Sequence, residues 1–229
     1  MVDDERALIA TFNLSPKYFG ETRDHALLTE EPAQVRAIAE GFEADWHRKP
    51  YHPREDTALV WSPDNSRRLI AGFIDGAKHT LDVQHPKFVD ATVVDRLADA
   101  RARGVHVRIL CGGKHGLSPW DMHDTFASLR ILERCDVKVH RQKHLKVHAK
   151  LLLADGKRAL VGSMNLDRSA FDLRRELGVT LDDAAVVDRL GELFDHDWHK
   201  AEHWAPPDPL AADTHDIGEL PHDPHFAHD

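Results

Sequence analysis

Cysteine is scarce: Cys111 and Cys135 are the only two in 229 residues. That is too few for a disulfide framework, so a reduced, cytosolic setting is the default expectation. Long apolar runs are missing too, and none approaches the roughly 20 residues that a membrane-spanning helix requires. The opening residues, Met-Val-Asp-Asp-Glu-Arg, have neither the basic nor the apolar region of a signal peptide. A cytoplasmic chain is therefore expected, the alternative being a longer parent with an N-terminal signal or membrane anchor. Positive charge is in deficit, with a net charge of -9, which argues against a broad nucleic-acid-binding surface. Lys and Arg are absent after Trp204, whereas Lys138 to Lys150 (KVHRQKHLKVHAK) contains no acid. One basic stretch in an acidic chain suits a small phosphate better than a long polyanion.

What the sequence does contain is an internal repeat. Displaced by 152 positions, Met1–Arg48 lies on Leu153–Lys200 without a gap. Asp3 meets Asp155, Arg6-Ala7-Leu8 meets Arg158-Ala159-Leu160, and Asn13-Leu14 meets Asn165-Leu166. Arg23 then meets Arg175, Asp24 meets Glu176, Phe42 meets Phe194, and Asp45-Trp46-His47 meets Asp197-Trp198-His199. The chain thus reads as the end of one structural unit (residues 1–50), a linker (51–56) and a complete second copy (57–204). Residues 205–229, rich in His, Asp and Pro, read as a disordered tail. Within the second copy, strand patterns at Thr57–Trp61, Asp82–Gln84, Val105–Leu110, Val137–His140, Ala159–Ser163 and Leu177–Leu181 alternate with helical ones. The helical patterns are Ser66–Ala77, Ala91–Arg103, Asp121–Arg134 and Ala185–Trp198. Such alternation predicts an α/β fold, an α-β-α sandwich around a mixed sheet.

The chemistry concentrates in His148-x-Lys150-x4-Asp155-x6-Gly162-Ser163-x-Asn165. On a strand, His148 and Lys150 project from the same side while Val147, Ala149, Leu151 and Leu153 enter a packed layer. Asp155-Gly156 signals a hairpin that returns Ser163 and Asn165 beside His148, with Gly162 permitting close backbone approach. An imidazole, an ammonium, a hydroxyl and an amide then converge. A neutral imidazole can attack phosphorus and form a phosphohistidine. Lys150 neutralises non-bridging oxygens, and Ser163 and Asn165 donate further hydrogen bonds.

This filled motif, with the acid Glu176 after it, resembles the phospholipase D superfamily, including bacterial cardiolipin synthase-like proteins. The duplication also matches that family's two lobes, so the resemblance covers nearly the whole chain up to Trp204. It implies that His148 is catalytic, that Lys150 and Asn165 bind phosphate, that Glu176 orients the histidine, and that Asp155 is mainly a structural turn residue. Neither metal nor cofactor is required. Ala10 stands at the position of Gly162, and Thr11 and Asn13, at those of Ser163 and Asn165, are candidate phosphate ligands from the first copy. The expected substrate is a phospholipid or other phosphodiester, either hydrolysed or used for phosphatidyl transfer. The His and Lys of a first motif would precede Met1, so a homodimer or a first-lobe segment is the expected source of a second histidine. A nuclease-type phosphodiesterase working as a homodimer and a non-catalytic half-enzyme are the alternatives. His140, His144 and the tail residues His222, His225 and His228 read as solvated rather than as metal ligands.

Overall fold

A computed structural model describes residues 1–16, 19–114 and 117–208. In chain order its elements are β1 (Ala7–Ala10), β2 (Thr22–Arg23), β3 (Ala26–Thr29), α1 (Pro32–Trp46), a 3-10 turn (Glu55–Thr57), β4 (Leu59–Ser62), α2 (Ser66–Asp75), β5 (Thr80–Gln84) and α3 (Ala91–Ala102). There follow β6 (His106–Cys111), α4 (Pro119–Arg134), β7 (Lys138–Arg141), β8 (Lys146–Val147), β9 (Leu151–Ala154), β10 (Arg158–Gly162), α5 (Arg168–Asp172), β11 (Glu176–Leu181), α6 (Ala184–Lys200) and β12 (Glu202–His203). Several helices start where a side chain accepts an orphan amide proton. Asp90 caps α3, Ser118 caps α4 and Asp183 caps α6, each accepting the N–H three residues on. The disorder expected of the tail does not hold at residues 205–208, where Arg130 donates to the Pro206 carbonyl and the Asp208 carboxylate; from residue 209 onward that expectation lies outside the described residues. No helix among the described residues is long and apolar enough to cross a membrane.

Eight strands form the main sheet in the order β12-β7-β6-β5-β9-β10-β11-β4. The β5–β6–β7 ladders are parallel and the others antiparallel, so the sheet is mixed as expected. The central strands are apolar on both faces because both faces are covered. Leu81, Val83, Ile109 and Leu152 pack with Ile70, Phe73, Val93, Leu97 and Leu129 from α2, α3 and α4. Leu110, Leu151, Leu153 and Val161 pack on the other side with Val187, Leu190 and Phe194 of α6.

The repeat is a structural one down to its register. β1 pairs antiparallel with β3 as Ala7↔Thr29 through Ala10↔Ala26. β10 pairs with β11 as Ala159↔Leu181 through Gly162↔Gly178, the same partners displaced by the same interval. Gly162 does permit a close backbone approach, but what approaches is Gly178: a Cβ on Gly162 would lie 2.7 Å from the Gly178 Cα. Alanines occupy both positions in the first copy. The first-copy hairpin and α1 dock on the second copy through Ile9, Ala37, Leu59, Trp61 and Val179. The linker is not loose, since Tyr51 stacks edge-on against Trp61 and donates its hydroxyl to the Ala37 carbonyl.

One local expectation fails. The segment around His148 is not a continuous strand: β8 ends at Val147 and β9 begins at Leu151. β8 instead pairs in parallel with the first-copy strand β2. The His148 N–H follows that second partner, donating to the Arg23 carbonyl, while the Lys150 carbonyl already accepts the Gly162 N–H of β10.

Candidate active site

His148 follows directly from the β2–β8 pairing, with its N–H donating to the Arg23 carbonyl at 3.1 Å. The next residue of the first copy, Asp24, meets its side chain: His148 Nδ1 lies 2.8 Å from Asp24 Oδ1. Thr11 and Thr22 donate their hydroxyls to the same carboxylate. Burial alone would raise the Asp24 pKa, but the bonds from His148, Thr11 and Thr22 outweigh it and hold the group below its ordinary value. An ionised carboxylate only accepts, so the imidazole proton sits on Nδ1. The other ring nitrogen tells the same story. Lys150 Nζ lies 3.1 Å from His148 Nε2, and an ammonium only donates, so Nε2 presents its lone pair.

Lys150 is 3% exposed, and Nζ also donates to the carbonyls of Thr11 (3.1 Å) and His148 (2.6 Å). Burial pulls its pKa down to about 8, against the opposing pull of Asp24 and Glu176. Lys87 and Arg174 add positive charge to the surroundings. His85, at the end of β5, is wholly buried, with Nδ1 accepting the Lys87 N–H. Burial, then the charge of Lys150, push His85 down to about 3, so it stays neutral. Its ring packs edge-on against Phe88.

Two of the expected roles need correction. The acid on the His148 imidazole is Asp24 of the first copy, whereas Glu176 accepts the Ser163 hydroxyl and lies 3.9 Å from Arg174. The Thr11 hydroxyl does not point to a phosphate: it is 2% exposed, donates to Asp24 and accepts the His25 N–H. The Thr11–Asp24 and Ser163–Glu176 bonds are the same contact in the two copies. The repeat that aligns Asp24 with Glu176 is the signal from which the first role was recoverable.

The remaining motif residues are placed as follows. Ser163 accepts the Leu177 N–H besides donating to Glu176. The side-chain oxygen of Asn165 is buried without a hydrogen-bond partner. Asn13 lies exposed in the loop after β1. Asp155, in a left-handed turn conformation, accepts the backbone N–H groups of Lys78, His79 and Thr80 and so ties the β9–β10 turn to the start of β5. A shallow cleft touches Asp24 and His25 and runs along Leu27, Val186, Leu190 and Leu193.

One group among the described residues has ligand spacing for a metal ion: His144, His196 and Asp197, whose donor atoms lie within 4.8 Å. Its carboxylate is already neutralised by the Arg23 guanidinium at 2.5 and 2.8 Å, which disfavours a cation at that oxygen pair. His140 instead stacks on Trp198, with ring centroids 3.8 Å apart.

Comparison with known proteins bears on the family and the fold. The family model described as "Cardiolipin synthase, PLD-like domain" matches residues 70–198. Cardiolipin synthase 1 of Staphylococcus aureus (strain COL) is 25% identical over 232 residues, covering 88% of this chain and 46% of its own length. Cardiolipin synthase A of Pseudomonas aeruginosa (strain LESB58) is 28% identical over 236 residues, covering 91% of this chain and 47% of its own. The chain thus spans about half the length of these curated relatives. Among solved structures, Nuc from Salmonella typhimurium, a phospholipase D family member, matches with a TM-score of 0.59 at 18% identity, covering 64% of this chain and 95% of that one. Phosphatidylserine synthase from Haemophilus influenzae Rd KW20 matches with a TM-score of 0.66 at 14% identity, covering 89% and 62%. At such identities these two likenesses concern the fold alone.

Proposed function

The chain belongs to the phospholipase D-like domain family of the cardiolipin synthases, and from that premise we propose that it carries the nucleophilic half of a phosphatidyl-transfer site. The observation that carries this reading is the polarised imidazole, with its proton held at Nδ1 by Asp24 and its Nε2 lone pair beside the Lys150 ammonium. Nε2 attacks the phosphorus of a phosphatidyl donor, a nitrogen–phosphorus bond forms, the phosphorus–oxygen bond to the head group breaks, and the head-group oxygen leaves with a proton from the second histidine that the other half of the site supplies. Asp24 stabilises the positive charge that the ring gains. Lys150 exchanges its contact with Nε2 for the non-bridging oxygens, where negative charge is held in the transition state. An acceptor hydroxyl then takes the phosphatidyl group from the histidine and frees Nε2.

The relatives named cardiolipin synthase support a lipid acceptor. Cardiolipin is two phosphatidyl groups on one glycerol, so its synthesis passes a phosphatidyl group to the terminal hydroxyl of phosphatidylglycerol. The net charge of -9 supports the same choice over a nucleic acid, whose many phosphates call for a wide basic surface. The chain, incubated with phosphatidylglycerol vesicles, is expected to release glycerol and form cardiolipin, and to leave single-stranded DNA intact. Faster cleavage of the DNA than of the lipid would overturn the lipid reading.

A further inference from the structure

The repeat runs on into Asp-Trp-His at 45–47 and 197–199, and neither acid belongs to the reacting group just described. Each nevertheless makes the same contact. Asp197, fully buried on α6, grips Arg23 in a fork, Nε to Oδ2 at 2.5 Å and Nη2 to Oδ1 at 2.8 Å. Asp45, on α1, grips Arg175 through the same atoms, Nε to Oδ2 at 2.9 Å and Nη2 to Oδ1 at 3.1 Å. Arg23 and Arg175 are equivalent in the repeat, as are Asp45 and Asp197. The pairs are therefore crossed: the acid of each copy holds the arginine of the other, the relation that a twofold axis between copies produces. In each copy the arginine immediately precedes the acid of the site, Arg23 before Asp24 and Arg175 before Glu176.

We propose that Asp197 and Arg23 form a positioning clamp that fixes Asp24 against His148 Nδ1, with Asp45 and Arg175 as the counterpart for Glu176; the proposal rests on the reading of His148 as the nucleophile. β2 is two residues long and pairs with only two residues of β8. A ladder that short has little stability of its own, so the position of Asp24 depends on what anchors its neighbours. Both neighbours are anchored. Arg23 goes to Asp197, and its carbonyl receives the His148 N–H. His25, on the other side, meets Gln84 at 3.1 Å, and Gln84 in turn donates to Asp197 at 2.8 Å. Asp24 is thus suspended between two residues that lead to one buried carboxylate on α6. His144 at 3.2 Å and His196 at 3.3 Å complete the set around Asp197. Burial would raise the pKa of this carboxylate, but Arg23 and Gln84 hold it down to about 2, so the clamp stays charged. Its counterpart is more open: the side chains of Asp45 and Arg175 are 41% and 32% exposed, against 0% and 19% for Asp197 and Arg23. Solvent weakens an exposed pair, which makes the clamp on Asp24 the stiffer of the two.

The test reads the hydrogen bond itself, so it does not depend on turnover. In the chain labelled with 15N-histidine, His148 is expected to show the Nδ1–H tautomer and a downfield proton that exchanges slowly with water. Asp197→Asn and Arg23→Gln are each expected to speed that exchange about tenfold or more, the scale of one hydrogen bond to a charged group. The double variant should be no worse than either single one, since both remove one clamp. Arg23→Lys, which keeps the charge and loses the fork, should fall between. Asp45→Asn should leave His148 unchanged. Core amides of β9 must stay protected as in the parent, which separates local loosening from unfolding. Unchanged tautomer and exchange in a folded Asp197→Asn chain would overturn the clamp and leave the nucleophile reading standing. Absence of the Nδ1–H tautomer in the parent would strike that reading instead. If Asp197→Asn does not fold, Arg23→Lys decides by the same readout.

Discussion

Asp24→Asn is expected to slow release of p-nitrophenolate from bis(p-nitrophenyl) phosphate by about 10²- to 10⁴-fold, the range seen when the carboxylate behind a catalytic imidazole is neutralised. This substrate isolates the first half of the reaction, because p-nitrophenolate leaves without being protonated. The amide keeps the shape of the carboxylate and loses its charge. As the Nε2–phosphorus bond forms, the ring of His148 becomes positive, and the carboxylate 2.8 Å from Nδ1 is the group that offsets that charge. The loss should therefore fall on the rate and leave KM nearly unchanged. Asp24 stays ionised below the usual carboxylate range, so the deficit should be flat through neutral pH. Glu176→Gln, in the same assay, is expected to cost less than about tenfold, since its carboxylate touches Ser163 and not the imidazole. A larger loss from Glu176→Gln than from Asp24→Asn would reverse the assignment of the two acids.

Lys150→Gln is expected to cost about 10²- to 10³-fold in the same burst, the scale of one preorganised donor to a developing oxyanion. It should also change the pH profile. Burial brings Lys150 down to about 8 in the unliganded chain. Its folded pKa is lowered, so the ammonium that meets the phosphate is present below that pH and is lost above it. The parent should thus lose activity on the alkaline side, by about tenfold per pH unit once well past the titration. The Gln variant, with nothing to titrate at that position, should lack this limb. A parent profile that stays level to pH 10 would contradict the role given to Lys150.

Those features that depend on neighbours in sequence were legible without coordinates. The motif spacing, the Asp155-Gly156 turn and the alternation of strands and helices are local patterns, and the fold follows them closely. α6 covers the expected stretch and extends it by one residue before and two after. Asp24 was different. Its alignment with Glu176 was visible, but its partner lies 124 residues away. Which imidazole an acid meets depends on how two copies dock, and the repeat encodes each copy rather than their crossing. The crossing follows from the β2–β8 pairing, and strands of two residues leave no periodic signal. The same docking buries Thr11, whose place in the motif otherwise reads as a phosphate ligand, and interrupts the strand expected through His148. Residues 1–50, read as the remnant of a lobe, thereby supply the acid that the nucleophile needs.

The most direct measurement is the site of covalent capture. The chain is mixed with bis(p-nitrophenyl) phosphate, quenched in alkali, where a histidine–phosphorus bond persists, and digested for mass spectrometry with 31P NMR of the intact adduct. The predicted result is a single acid-labile phosphoramidate on Nε2 of His148, absent from His148→Ala. p-Nitrophenolate release by the parent with no adduct on His148, or equal release by His148→Ala, would contradict the account.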